Sequence, residues 1–273
     1  MRILVIGAGG VGSAIASIAS RRDFFDQLVI ADIDRSRAER AALRTRDPRV
    51  VAARVDASDH VDVATLARGM KADVVVNACD PRFNPPIFDA AVGVGAHYLD
   101  MAMHMSKPHP SRPYEECGDT LGAAQFAVSG QWAERGQLAL VGMGVEPGLS
   151  DVFARYAADH LFDHIVDVGI RDGSDLRIDG DQFAPTFSIW TTIEECLNPP
   201  IIYERDRGWF TTVPFSERET FRFPEGIGDL TCVNVEHEEV LLVPRYLDVE
   251  RVTFKYGLGD DFIDVLQTLH RLG

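Results

Sequence analysis

The sequence predicts an α/β protein in which a doubly wound parallel sheet is followed by a second, α+β domain built on a mixed sheet. Two observations carry that expectation. The first half of the 273 residues alternates short β-forming runs with helical stretches, and the turn Gly7-x-Gly9-x-x-Gly12 joins the first run to the first helix. In the second half β-forming runs follow one another with few helices between them.

Ile3, Leu4, Val5 and Ile6 are apolar on both faces, as a strand in the middle of a parallel sheet must be. Gly7 then allows the tight turn, Gly9 lets a pyrophosphate approach bare backbone, and Gly12 lets the following helix pack closely on the strand. Gly10 belongs to the cofactor-binding turn and Val11 opens that helix, predicted over 11–20, so its free N–H groups and positive dipole end face the phosphates. A second strand, 28–31, ends in Asp32, about twenty residues past the last glycine, where a carboxylate accepts hydrogen bonds from an adenosine ribose. This is the Rossmann fingerprint in its expected context of strand, turn and helix. Asp32 would repel a 2′-phosphate, which favours NAD. Arg35 and Arg37, just past the strand, suit a 2′-phosphate and keep NADP open.

The third strand, 50–55, leads into Asp56 and Ala57, placed to touch the adenine edge. The fourth, 73–76, opens into Asn77, Ala78 and Cys79, at the sheet edge where a Rossmann fold holds nicotinamide. A helix over 87–94 and a short strand, 97–99, bring the chain to Asp100. Pro108, Pro110 and Pro113 make a loop of 107–113. Helix is predicted to resume over 114–135, stopped by Gly136, before a strand at 138–141. The glycine-rich stretch 142–148 is the exit from the nucleotide domain, which gives domains of 1–148 and 149–273. The second opens with an amphipathic helix, 149–161, bearing Leu149, Val152, Phe153, Tyr156 and Ala157 at helical spacing.

Strands are predicted at 165–170, 182–190, 201–204, 209–213, 231–235 and 251–256, with a hairpin turn over 204–209. Thr192 with Glu195 suggests a capping box for a short helix that Pro199 and Pro200 end. The helical pattern of 262–272 stays apolar to its last residues, which implies docking on a neighbour or a chain that continues.

Composition excludes several classes. A formal net charge of −15 argues against a nucleic-acid or anionic-membrane surface. Cys79, Cys117, Cys196 and Cys232 form no Cys-x-x-Cys pair, so neither a zinc site nor a disulfide framework is indicated, and reduced cytoplasmic cysteines are expected. No apolar run has the length of a membrane span, and the first strand leaves no room for a signal peptide. The three lysines, Lys71, Lys107 and Lys255, do not complete a Tyr-x-x-x-Lys pair.

Four stretches together resemble the saccharopine dehydrogenase family: the glycine turn, Val76-Asn77-Ala78, Tyr98-Leu99-Asp100, and Gly144-Val145-Glu146-Pro147-Gly148. The resemblance covers essentially the whole chain. It implies a Rossmann domain with a substrate and dimerisation domain, hence a homodimer. It further implies nicotinamide-dependent oxidation or reduction at a C–N bond of a lysine-derived or polyamine-derived amino acid. Asp100 to His104 is more similar to the Asp-x-x-x-His of lysine 6-dehydrogenases than to the serine–tyrosine version of saccharopine reductases. Members of the family run on by roughly a hundred residues, so the C-terminal part of the second domain is expected to be missing here.

Oxidising a C–N bond needs a neutral amine, so a base must first take the ammonium proton, and carboxylates must hold the cationic substrate. Asp100, His104, His237 and Glu238 are the candidates for those roles, with Glu146 and Glu239 beside them. His237-Glu238-Glu239 reads equally as an acidic helix start, and it is not a zinc motif because Leu241 stands where a histidine would be needed. Arg82 and Arg171 are candidates for a substrate carboxylate or for surface ion pairs, and Phe187, Trp190 and Trp209 for pocket walls or core. A non-catalytic NAD(P)-binding sensor or assembly protein is the competing expectation.

Overall fold

The computed structural model describes residues 1–174 and 189–272. They form two units, Met1–Met105 with Gly122–Gly144, and Ser106–Leu121 with Val145–Gly273. The junction of the units at 144–145 lies close to the boundary expected at 148, and Ser106–Leu121, from the loop after β5, goes with the second unit.

The first unit runs β1 (Arg2–Ile6), α1 (Gly10–Ala19), β2 (Gln27–Asp32), α2 (Arg35–Thr45), β3 (Val50–Arg54), α3 (His60–Met70), β4 (Val74–Asn77), α4 (Asn84–Val94), β5 (His97–Asp100), α5 (Ala123–Ala127), α6 (Ser129–Glu134) and β6 (Ala139–Leu140). All strands are parallel in the order β3-β2-β1-β4-β5-β6, with the strand order reversing between β1 and β4. Alternation along β1 sends Ile3 and Val5 into one apolar layer and Leu4 and Ile6 into the other, so the sheet is buried on both faces.

The single helix expected over 114–135 is replaced by turns up to Gly122, followed by the two short helices α5 and α6. Glycine explains the break. A Cβ on Gly118 would stand 2.1 Å from the Lys107 carbonyl oxygen, where Lys107 and Asp119 form a bridge, and Gly122 sits at φ +68.

The second unit contains α7 (Leu149–His160), β7 (Ile165–Gly173), α8 (Ile189–Leu197), β8 (Ile201–Glu204), β9 (Gly208–Thr211), β10 (Glu219–Phe223), β11 (Gly228–Asn234), α9 (Glu239–Tyr246), β12 (Val249–Gly257) and α10 (Asp260–Leu272). Its sheet is mixed: β10-β11-β12-β8-β9 are antiparallel neighbours, and β7 joins β12 in parallel. Strand β10 had no counterpart in the sequence reading. The strand expected at 182–190 and Phe187 lie outside the described residues, except that Ile189 and Trp190 begin α8. Thr192 is thus inside that helix and is not its cap. The hairpin at 204–209 forms as expected, pairing Glu204 with Gly208. The core gathers Val233, Val235, Val252, Phe254, Ile263 and Leu266, the last two from α10. Leu149, Val152, Phe153 and Tyr156 of α7 stay exposed.

Candidate active site

In the first unit the glycine turn is closed on one side and open on the other. A Cβ on Gly12 would lie 1.8 Å from the Gly7 carbonyl oxygen, and one on Gly7, at φ +102, would lie 2.6 Å from the Ala78 carbonyl oxygen. Gly9 and Gly10 meet nothing within 4 Å. Their open side is a cradle at the start of α1, where no side chain caps the first N–H groups. These residues fit a dinucleotide pyrophosphate. Beside them runs a groove of about 250 Å³ lined by Asp32, Arg37, Asp56, Ala57, Ala78 and Cys79.

Asp32 is buried at the end of β2. Its Oδ2 accepts from Ala8 N at 2.8 Å and its Oδ1 from Asp34 N at 2.9 Å, so the carboxylate also braces the glycine turn. Of the two arginines proposed from the sequence, Arg35 turns away to Glu39 at 2.9 Å, whereas Arg37 lines the groove with Nη1 3.8 Å from Asp32. The groove therefore offers a ribose acceptor and a phosphate acceptor together. Arg37→Ala is expected to weaken NADP(H) binding about tenfold, one charge-assisted contact, with NAD(H) changing far less. Fluorescence titration with both reduced cofactors checks this.

Asn77 shapes the turn: its Oδ1 accepts from Cys79 N at 3.0 Å, and its Nδ2 donates to Asn84 and to the Tyr98 hydroxyl. Burial, then Asp32 and Asp80, pushes the Cys79 thiol up to about 12, so it is a wall and not a nucleophile. Asp100 is buried, with Oδ1 accepting from Gly142 N at 2.8 Å and Oδ2 from Gln125 Nε2 at 2.7 Å. Gln125 Oε1 in turn accepts from His104 N at 2.9 Å. Gln125 thus straps Asp100 to the His104 backbone, and no bond between the Asp100 and His104 side chains forms part of this strap. The His104 ring packs edge-on against Phe88, burial holds its imidazole below the usual range, and its Nε2 has no partner among the described residues.

In the second unit the parallel register of β12 and β7 pairs Val252 with Val168, Phe254 with Ile170 and Tyr256 with Asp172. That face turns from apolar to polar at the carboxyl ends of both strands. His237 is 2% exposed and its ring lies flat on Phe254, with centroids 3.7 Å apart. Its Nδ1 pairs with Glu239, its Nε2 is 3.3 Å from the Tyr256 hydroxyl, and that hydroxyl donates to Glu195 Oε2 at 3.2 Å. Glu239 also accepts from Ser150 Oγ, and Glu236 from Ser106 Oγ and Asn198 Nδ2, each at 2.8 Å. Glu238 is buried 3.6 Å from His237 Nδ1. Asp172 lies near Glu146 and disfavours its charge.

Burial is the largest cause that pushes Glu195 and Glu236 up to about 7, Asp151 up to about 6 and Glu146 up to about 8, with neighbouring carboxylates adding to it. Burial opposes the charge on His237, yet Glu239, Glu238 and Glu195 outweigh it and raise the imidazole to about 10. Among the described residues no group of side chains is arranged to hold a metal ion.

A pH dependence follows. The raised carboxyls bind more protons folded than unfolded between about pH 5 and 8, so stability falls as pH rises through that window. The raised His237 acts in the same direction, its contribution being lost as pH rises through about 10. Calorimetry is expected to give a melting temperature that declines steadily from about pH 5.5 to 9.

Arg82 pairs with Asp80, and Arg171 with Glu219 and Thr253, so both guanidinium groups are engaged within their own unit. Trp190 is exposed, and Trp209 Nε1 donates to the Val240 carbonyl oxygen. The sequence reading missed Asp151, Asp172, Glu195, Glu236 and Tyr256 as site residues. One signal was present: four consecutive ionisable residues, Glu236 to Glu239, directly follow an apolar strand.

A parallel sheet in this order, with a glycine cradle beside β1 and a carboxylate ending β2, is that of an NAD(P)-binding Rossmann protein. A profile described as the saccharopine dehydrogenase NADP binding domain matches residues 3–140, about half of the chain. The chain belongs to the saccharopine dehydrogenase family. It is 28% identical over 279 residues to a carboxyaminopropylagmatine dehydrogenase of Synechocystis sp., covering 100% of this chain and 66% of the relative. It is likewise 28% identical over 283 residues to a carboxynorspermidine synthase of Vibrio cholerae, again covering 100% of this chain and 66% of the relative. The chain thus spans about two thirds of the length of these relatives. Among solved structures, apo saccharopine dehydrogenase (L-Glu forming) from Saccharomyces cerevisiae shares the fold at a TM-score of 0.68 and 14% identity, over 98% of this chain and 57% of that one.

Proposed function

We propose that the chain carries NAD(P)-dependent oxidation or reduction at a C–N bond of a polyamine-derived or lysine-derived amino acid. The observation that supports this most is the acidic cluster of the second unit. Glu146, Asp151, Glu195, Glu236, Glu238 and Glu239 surround the imidazole of His237, with Asp172 beside Glu146. So much negative charge out of water is unfavourable unless protons or a cation balance it, and a substrate with two or more ammonium groups is such a cation. The names of the relatives, a carboxyaminopropylagmatine dehydrogenase and a carboxynorspermidine synthase, point the same way.

The nicotinamide, when bound, supplies the hydride acceptor or donor. The chain's own contributions are separable. Gly7, Gly9, Gly10, Val11 and Gly12 hold the pyrophosphate, Asp32 and Arg37 the adenosine ribose, and Asp56 and Ala57 the adenine edge. Asp100 fixes the strand end that carries His104. The carboxylates of the second unit hold the ammonium groups and take a proton from the reacting nitrogen.

We extend the proposal to a homodimer and a cytoplasmic setting. Among the described residues β7 pairs only with β12, which leaves one edge of a nine-residue strand open to a second copy, and the four cysteines are free thiols.

The test is the appearance of NADH or NADPH absorbance with carboxynorspermidine, carboxyaminopropylagmatine, saccharopine and lysine offered in turn. Turnover of a carboxylated polyamine supports the proposal. Cofactor binding with no turnover on any of the four favours a non-catalytic sensor instead.

A further inference from the structure

Part of the wall of the groove beside the glycine turn is Ala78, Cys79, Asp80 and Phe83. These residues lie between two buried asparagines, Asn77 at 2% exposure and Asn84 at 1%. Main-chain groups fix the donor and acceptor roles of both amides. Asn77 Oδ1 accepts from Cys79 N at 3.0 Å, so Asn77 Nδ2 is the atom that donates to Asn84. Asn84 therefore accepts through Oδ1, and its Nδ2 donates to the Ala102 carbonyl oxygen at 2.7 Å. A backbone N–H begins this relay and a backbone carbonyl ends it, so neither amide can be turned over without setting like groups against each other.

An asparagine at a helix start ordinarily caps free N–H groups. Asn84 does not: it begins α4, where Pro85 and Pro86 bring no N–H to cap, and no side chain caps that helix. Its amide joins Asn77, at the end of β4, to Ala102, just past the end of β5. The wall is seated on β1 as well. Ala78 N donates to the Ile6 carbonyl oxygen at 2.8 Å, and the Ala78 carbonyl oxygen closes the Cβ position of Gly7 at 2.6 Å. In the order β3-β2-β1-β4-β5-β6, Asp32 ends a strand of the first mononucleotide half, whereas this wall follows the first strand of the second half. The second half is the one that receives nicotinamide.

We propose that Asn84 is a positioning residue for the nicotinamide half of the cofactor: it closes the wall 78–83 against Asn77 and ties it to the segment 101–104 that carries His104. The side chain of Asn77 serves the shape of this wall and does not touch the cofactor, since its Oδ1 holds Cys79 N and its Nδ2 holds Asn84 and, at 3.4 Å, the Tyr98 hydroxyl. The inference rests on reading the glycine cradle as the dinucleotide site, and it is independent of the substrate.

Two measurements test it. ADP-ribose carries the adenosine, pyrophosphate and second ribose of NADH without the nicotinamide, so it reports on the rest of the site. In Asn84→Ala, titration calorimetry is expected to show the NADH dissociation constant raised about tenfold, with that of ADP-ribose within about twofold of the wild type. Equal losses for the two ligands would make Asn84 a structural residue only and overturn the proposal, as would an unchanged affinity for NADH. Asn84→Ser, too short to span both partners, is read in the same way if Asn84→Ala does not fold. The second measurement needs no variant. Hydrogen exchange of the wild-type chain is followed with each ligand, and peptides over 77–84 and 101–105 are expected to gain protection together with NADH, beyond what ADP-ribose gives. Added protection confined to 77–84 would overturn the tie from Asn84 to Ala102. A wild type that binds neither ligand would contradict the dinucleotide site itself, and the inference with it.

Discussion

Gly12→Ala is expected to raise the dissociation constant for NADPH at least about a hundredfold, equivalent to some 3 kcal/mol. The added methyl would sit 1.8 Å from the Gly7 carbonyl oxygen and 3.0 Å from its carbonyl carbon, both backbone atoms. Gly7 cannot move aside freely, because its own Cβ position is closed by the Ala78 carbonyl at 2.6 Å. The turn must therefore open, and the pyrophosphate cradle opens with it. Gly10→Ala provides the contrast. Its methyl meets no protein atom within 4 Å, so the melting temperature should hold while nucleotide affinity falls, the methyl occupying ligand space. Fluorescence titration with NADPH, paired with thermal melts, separates the two outcomes. Equal affinity in wild type and Gly12→Ala would contradict the assignment of the turn.

His237→Ala is expected to lower unfolding free energy by about 3–5 kcal/mol, because it leaves the carboxylate of Glu239 buried without its cation. Glu239 is fully buried, and its remaining partner at that end is the Ser150 hydroxyl. Loss of the ring from the Phe254 face adds a cavity to the same figure. The double variant His237→Ala with Glu239→Gln should recover part of the loss, since no charge is then stranded. Urea unfolding followed by tryptophan fluorescence reads both. A single-variant loss below about 1 kcal/mol would mean that the pair is solvated and the cluster open.

The nucleotide unit was legible in the sequence because each of its constraints is local. Gly7, Gly12 and Asp32 act within one βαβ stretch, where spacing alone places them, and the parallel strands announce themselves as apolar runs. Arg37 against Arg35 was not legible, since two residues of helical rotation decide which side chain meets the groove and which meets Glu39. In the second unit the acidic cluster comes from four separate elements, α7, β7, α8 and α9, and from the segments that lead into α7 and α9. Glu195 was read as part of a helix cap and Asp172 and Tyr256 were not singled out, and only the register of β7 on β12 and the seat of α8 bring them toward His237. The two glycines that break 114–135 were misread for a similar reason: what forbids a helix at Gly118 is a carbonyl eleven residues away in the chain, at Lys107.

The central claim is hydride transfer between nicotinamide and the carbon of a C–N bond. It is tested most directly with carboxynorspermidine deuterated at the carbons next to its secondary nitrogen, incubated with the protein and NADP or NAD. The account predicts that deuterium appears at position 4 of the reduced nicotinamide, on one face only. Deuterium retained in the substrate, or lost to water with no reduced cofactor formed, would contradict it.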